Sequence, residues 1–128
     1  PFLFSTAHPP AVVAAIMAAI DLMENDPSLT QKLWDNARYW QAGLKKLGFD
    51  IGVTETPITP IIVGDEEKAQ QLQRGLFEEG VLALAVVFPT VARGKARVRT
   101  MPNASHQKQD LDDALEAMEK VGKRLGLI

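Results

Sequence analysis

The sequence contains no cysteine, which excludes disulfides and thiolate metal sites and suits a reducing compartment, so a cytoplasmic protein is expected. Its two histidines, His8 and His106, are far apart in sequence and give no metal-ligand spacing, so no metal site is expected. Neither sign of charge dominates. Fourteen basic and sixteen acidic residues leave a formal net charge of −2, so no broad positive field exists to draw nucleic acid or anionic lipid. The longest apolar run, Ala11 to Ile20, is too short to span a bilayer, and no basic leader or small-residue cleavage site precedes it. There is also no GxGxxG, Walker loop or HExxH, and no serine sits in a context that marks a nucleophile.

What is present suits one domain of 128 residues, large enough to close a core. The chain opens with an apolar arm, PFLFSTAHPP, that needs a surface to lie on and does not begin with Met, so a piece of something longer is expected. Paired prolines then start a helix over about Ala11 to Glu24, apolar nearly all round and expected to be buried on more than one side. Asp26-Pro27 opens a second helix, with Leu29, Leu33, Trp34, Ala37, Trp40, Leu44 and Leu47 recurring at helical spacing. Trp34, Tyr39 and Trp40 could form a stacking platform, but aromatics at this spacing are more simply core.

Phe49–Val53 and Ile58–Val63 read as strands, with Pro60 placing the second at an edge or a strand start. Asp65-Glu66-Glu67 opens a helix with Ala69, Leu72, Leu76 and Phe77 inward, the acids matching its dipole. The run Val81–Val87 reads as a strand covered on both faces, and Ser105 as the cap of a last helix. That helix buries Leu111, Ala114, Leu115, Met118, Val121 and Leu125. The element order implies an α+β fold, a two-layer sandwich with a small, mostly antiparallel sheet and helices on one side.

Between the last two elements lies FPTVARGKARVRTMPNASH, Phe88 to His106. Its centre alternates with period two, so Arg97 and Arg99 share one face while Ala96, Val98 and Thr100 share the other. Two guanidinium forks on one side of a strand can grip a carboxylate or phosphate through paired hydrogen bonds. The same pattern equally suits an exposed strand kept soluble by arginine. His106, at a helix start, reads as structural.

Four segments carry a resemblance to a known family: FLFSTAHPP with the Ala-rich helix behind it, ETPITPIIVGDEEKAQQL, LFEEGVLALAVVFPTVARGKARVRT, and NASH before an amphipathic helix. In that order, end to end, they resemble the C-terminal part of the α-oxoamine synthases, which depend on pyridoxal phosphate (PLP) and adopt the fold-type I aminotransferase architecture. The resemblance implies that residues 1–128 are the C-terminal small domain of a homodimeric enzyme that condenses an amino acid with an acyl-CoA. The cofactor acts there as an electron sink. Arg99, seven residues before His106 of the Ala104-Ser105-His106 element, would bind the substrate's α-carboxylate, with Arg97 as its neighbour. Ser5 and Thr6 would reach the cofactor phosphate of the partner subunit. His8 and the Met101-Pro102-Asn103 segment depart from the family pattern.

No lysine here matches the context of the Schiff-base lysine, so the resemblance places that residue, the ring-stacking histidine and the pyridinium aspartate upstream of Pro1. No catalytic residue is expected within these 128 residues, and the stretch alone is expected to be inactive and to bind no cofactor. Glycine C-acetyltransferase (2-amino-3-ketobutyrate CoA ligase) is the favoured member, with 8-amino-7-oxononanoate synthase as the alternative. Two readings of other classes stay open: a stand-alone amino-acid or anion-binding regulatory module, and a pure oligomerisation domain.

Overall fold

The chain divides into two compact units, Pro1–Gln31 and Lys32–Ile128, of which the computed structural model describes residues 6–128. The first unit holds helix α1, Pro10–Asn25, which starts with proline where its missing N–H costs nothing and closes with Asp26 N–H on the Leu22 carbonyl. The burial expected for α1 is not found: none of its residues is buried, and Ile16, Met17 and Met23 are more than half exposed. No described residue of this unit is buried, so the unit has no core against which an all-round apolar helix could pack. No helix among the described residues is long and apolar enough to cross a membrane.

Helix α2, Ser28–Leu47, follows a turn in which the Asp26 carboxylate accepts from Ser28 N–H at 3.0 Å. The Ser28 hydroxyl first, and its N–H second, hold the Asp26 carboxyl below its ordinary value. In the second unit α2 is followed by β1 (Thr59–Gly64), α3 (Glu66–Glu78), β2 (Leu84–Val86), β3 (Ala96–Thr100) and α4 (Lys108–Arg124). The three strands form an antiparallel sheet in the order β1-β3-β2, so the arginine-bearing strand is central and Pro60 lies on an edge strand, as its missing N–H requires. The helices of this unit cover one face only. Trp40 and Leu44 of α2, Leu72 and Leu76 of α3, and Leu111, Met118 and Val121 of α4 share one core with Ile61 and Val98 of the sheet.

Four local expectations are corrected. Phe49–Val53 forms no strand: Gly52 adopts φ +58, and Asp50 accepts from Gly52 N–H at 2.8 Å, which turns the run after its buried residues Phe49 and Ile51. Phe77 points outward at 69% exposure, because Gly75 takes the inner place where α3 meets Val121 and Arg124 of α4. Val81–Val87 contributes only three residues of edge strand, with Leu84 half exposed on the sheet face that no helix of this unit covers. Ser105 does not cap α4. Gln107 does, in a reciprocal box with Asp110.

Candidate functional site

Strand β3 displays its side chains as the alternation in Ala96-Arg97-Val98-Arg99-Thr100 requires. Ala96, Val98 and Thr100 are buried, whereas Arg97 is half-buried and Arg99 exposed. The register then decides what flanks the guanidinium groups. Arg99 pairs with Pro60 on β1 and Leu84 on β2, and Arg97 pairs with Ile62 and Val86. Directly paired residues share a face. The uncovered face of the sheet is therefore a row of two arginines, about 7 Å apart along the strand, between two apolar walls.

No carboxylate neutralises this row. Arg93, Lys95, Arg97 and Arg99 fall within seven residues, and none forms an ion pair among the described residues. The neighbouring cations are anchored by other means: Arg93 stacks over the Phe88 ring at 4.4 Å, and Arg97 Nε donates to the Lys95 carbonyl at 3.1 Å. Among the described residues no hydrogen bond, ion pair or ring contact restrains the Arg99 guanidinium, which stays available. An anion laid on this face would meet fixed positive charge beside apolar surface, and charge pairs strengthen there once water is displaced.

Behind Arg99, on the core face, Trp40 Nε1 donates to Thr100 Oγ1 at 2.8 Å, and Thr100 Oγ1 donates to the Thr59 carbonyl at 2.9 Å. The loop after β3 is equally fixed. Asn103 Oδ1 accepts from Ser105 N–H and Oγ, at 2.8 and 2.6 Å, while Asn36 Nδ2 donates to the carbonyls of Asn103 and His106. His106 Nδ1 accepts from Asn103 N–H at 3.3 Å, which gives the ring a structural task. A cavity of about 470 Å³ opens near this loop, lined by Trp40, Val81, Leu82, Met101 and His106 among others; Arg99 is not part of its lining.

Of the other expected site residues, Ser5 lies outside the described residues. Thr6 is exposed in the non-helical lead to α1, where its hydroxyl is a donor suited to a phosphate oxygen. Thr6 and Arg99 belong to different units. The lysines are solvent-facing except for half-buried Lys32. Period two alone could not find the apolar walls or the Trp40–Thr100–Thr59 chain, because both depend on register. A threonine among the core-facing residues of β3 was the one available signal.

Residues 1–118 match the family model for aminotransferase class I and II. The chain belongs to that family. It is 60% identical over all 128 residues to an 8-amino-7-oxononanoate synthase of Symbiobacterium thermophilum, covering 33% of that protein. It is 53% identical to an 8-amino-7-oxononanoate synthase/2-amino-3-ketobutyrate coenzyme A ligase of Thermus thermophilus, covering all of this chain and 32% of that one. Its fold matches a variant of SPT solved with PLP at a TM-score of 0.94 and 28% identity, over 100% of this chain and 33% of the other. The chain thus spans about a third of the length of its relatives. These matches bear out the resemblance to the PLP-dependent α-oxoamine synthases and the small antiparallel α+β fold it implies. They favour 8-amino-7-oxononanoate synthase over glycine C-acetyltransferase, reversing the order expected from sequence.

Proposed function

We propose that these residues belong to a PLP-dependent α-oxoamine synthase that joins an amino acid to an acyl-CoA, with 8-amino-7-oxononanoate as its product. The observation that carries the reading is Arg99 itself: an exposed guanidinium, unpaired among the described residues, on the central strand between Pro60 and Leu84, on the sheet face that no helix of its own unit covers. Such a group suits a substrate carboxylate. The relatives' names support the choice of member, and the product's structure identifies the pieces. Cutting 8-amino-7-oxononanoate between C7 and C8 leaves a seven-carbon acyl chain ending in a carboxylate, and a two-carbon amine that is alanine without its carboxyl group. Mass balance then requires that CoA and CO₂ leave.

Arg99 would hold the amino acid's α-carboxylate and so fix the orientation of the amino acid about its Cα. PLP, when bound, supplies the sink for the electron pair released at Cα. Ser5 and Thr6 would donate to the cofactor phosphate of the partner subunit in a homodimer, a task that suits hydroxyl donors because they add no charge. Truncating one partner of a desolvated charge pair costs about 2–5 kcal/mol. Arg99→Ala in the full-length enzyme should therefore weaken amino-acid binding far more than acyl-CoA binding.

The test pairs substrates with products. Full-length protein is given alanine with the seven-carbon ω-carboxyacyl-CoA, and separately glycine with acetyl-CoA, and both products are quantified. Greater kcat/KM for the first pair supports the reading. Turnover of the second pair alone returns the assignment to glycine C-acetyltransferase.

A further inference from the structure

Thr59 and Thr100 are the buried polar residues among the described residues, exposed 0% and 5%, and they stand directly opposite each other across β1 and β3. Buried hydroxyls on the apolar face of a sheet require hydrogen bonds. Both have them. Trp40, itself 3% exposed, donates to Thr100 Oγ1, which donates onward to the Thr59 carbonyl, while Gln41 Nε2 reaches Thr59 Oγ1 at 3.2 Å. One helix thereby takes hold of the two strands at one level.

That level is the end of β3 that carries Arg99. Thr100 is the last residue of the strand and Arg99 the residue before it. On the β1 side Arg99 faces Pro60, in the same alternation as Ile62, whose N–H points away from β3 to the Asp50 carbonyl, so the two strands exchange no backbone bond at this pair. A strand end can twist, and a small rotation at residues 99 and 100 moves the tip of a long side chain further than it moves the backbone. Carboxylate recognition through two parallel bonds tolerates little such movement. Packing alone does not call for threonine here. Valine has the same branched shape and fills the equivalent place at Val98, so the hydroxyl is the feature to be explained.

We propose that Trp40, acting through the Thr100 hydroxyl, is a positioning residue that sets the Arg99 guanidinium for the amino-acid carboxylate. The proposal rests on the assignment of Arg99 made above. Neither Trp40 nor Thr100 need touch the substrate. Their effect is confined to the half of the reaction in which the carboxylate is held.

The experiment uses the full-length holoenzyme with Thr100→Val, Thr100→Ser and Trp40→Phe, alongside Arg99→Ala. For each, KM is measured for the amino acid and for the acyl-CoA, together with the thermal midpoint. A net hydrogen bond corresponds to roughly a threefold to tenfold change in an equilibrium, so Thr100→Val should raise the amino-acid KM about tenfold and Trp40→Phe about threefold. The acyl-CoA KM should stay within about twofold, and Thr100→Ser, which keeps the hydroxyl, should restore amino-acid KM to about the wild-type value. A lowered midpoint with unchanged amino-acid KM in Thr100→Val overturns the proposal, as does an equal rise in both KM values. If Thr100→Val does not fold, an unchanged amino-acid KM in Trp40→Phe overturns it instead. An unchanged amino-acid KM in Arg99→Ala would overturn the Arg99 assignment itself, whereas a raised value there beside a wild-type value in Thr100→Val sinks only the positioning role.

Discussion

Gln73 of α3 accepts a hydrogen bond through its Oε1 from the backbone N–H of Ala85 in β2, at 2.6 Å. Strand β2 is at an edge, with β3 as its only strand neighbour, so α3 supplies here what a further strand would supply elsewhere. The contact blunts an edge that the apolar run Val81–Val87 would otherwise offer to another chain.

Gln73→Met keeps the length and the apolar stem but removes the acceptor. It should destabilise the protein by about 1–2 kcal/mol, the cost of a half-buried N–H left unpaired. Light scattering of the full-length variant should rise on mild heating, and Gln73→Glu, which keeps an acceptor, should behave like the wild type. Equal scattering by the two variants would contradict the edge-blocking role.

Close helix approach sets a second expectation. A Cβ built on Gly122 of α4 would come within 2.5 Å of Phe49 Cζ and 3.2 Å of Ile128 Cδ1. The ring of buried Phe49 has little freedom to retreat, so Gly122→Ala should cost about 1–3 kcal/mol, as overpacking does. Gly75→Ala should cost less. Its nearest neighbour, Arg124 Nη2 at 2.5 Å, is the end of a flexible exposed side chain, although Val121 Cγ1 at 2.7 Å must still shift. Denaturant midpoints of the two variants decide the order.

These packing details bear on how much the amino-acid order reveals. The ARVRT alternation made the two faces of β3 readable, because a strand's period depends on no other part of the chain. The α2 stripe was readable for the same reason, and Ala37, Trp40 and Leu44 are buried as their spacing required. What could not be read was pairwise. That Arg99 lies between Pro60 and Leu84 depends on register across 39 residues on one side and 15 on the other. Phe49–Val53 had the composition of a strand, but whether Gly52 extends or turns is decided by its neighbours. Ser105 was expected to cap α4, but its hydroxyl is engaged by Asn103 and Gln107 takes the cap instead.

Asn36 carries a third expectation. Its Nδ2 donates to the Asn103 carbonyl at 2.8 Å and the His106 carbonyl at 3.0 Å, tying α2 to the loop after β3. Asn36→Ala should cost about 1–3 kcal/mol by leaving those carbonyls without this partner. Asn36→Asp should be worse, since it sets a carboxylate against two carbonyl oxygens. Hydrogen exchange should report the loss first in residues 101–107, and uniform loosening of the whole chain would contradict a local tie.

A last expectation concerns acid. Asp112 of α4 accepts from Lys108 Nζ at 2.7 Å and from the Tyr39 hydroxyl of α2, while Lys108 also lies over the Tyr39 ring at 4.8 Å. The Lys108 bond first, and the Tyr39 bond second, hold the Asp112 carboxyl below its ordinary value of 3.8. The same bonds, to Asp112 first and then Tyr39, hold the Lys108 ammonium well above its ordinary range. A carboxyl whose pKa is lower folded than unfolded contributes stability above its unfolded value and loses it as pH falls through the folded one. The lysine's share is fully present below its unfolded value of 10.5 and is lost only far into alkali. Between about pH 5 and 9 neither changes, so Asp112→Asn should lower the thermal midpoint by a constant amount there. Below about pH 4 the wild-type midpoint should fall faster than the variant's until the two converge. A midpoint difference that persists unchanged into strong acid would show that the Tyr39–Asp112 contact acts by shape alone, with no contribution from charge.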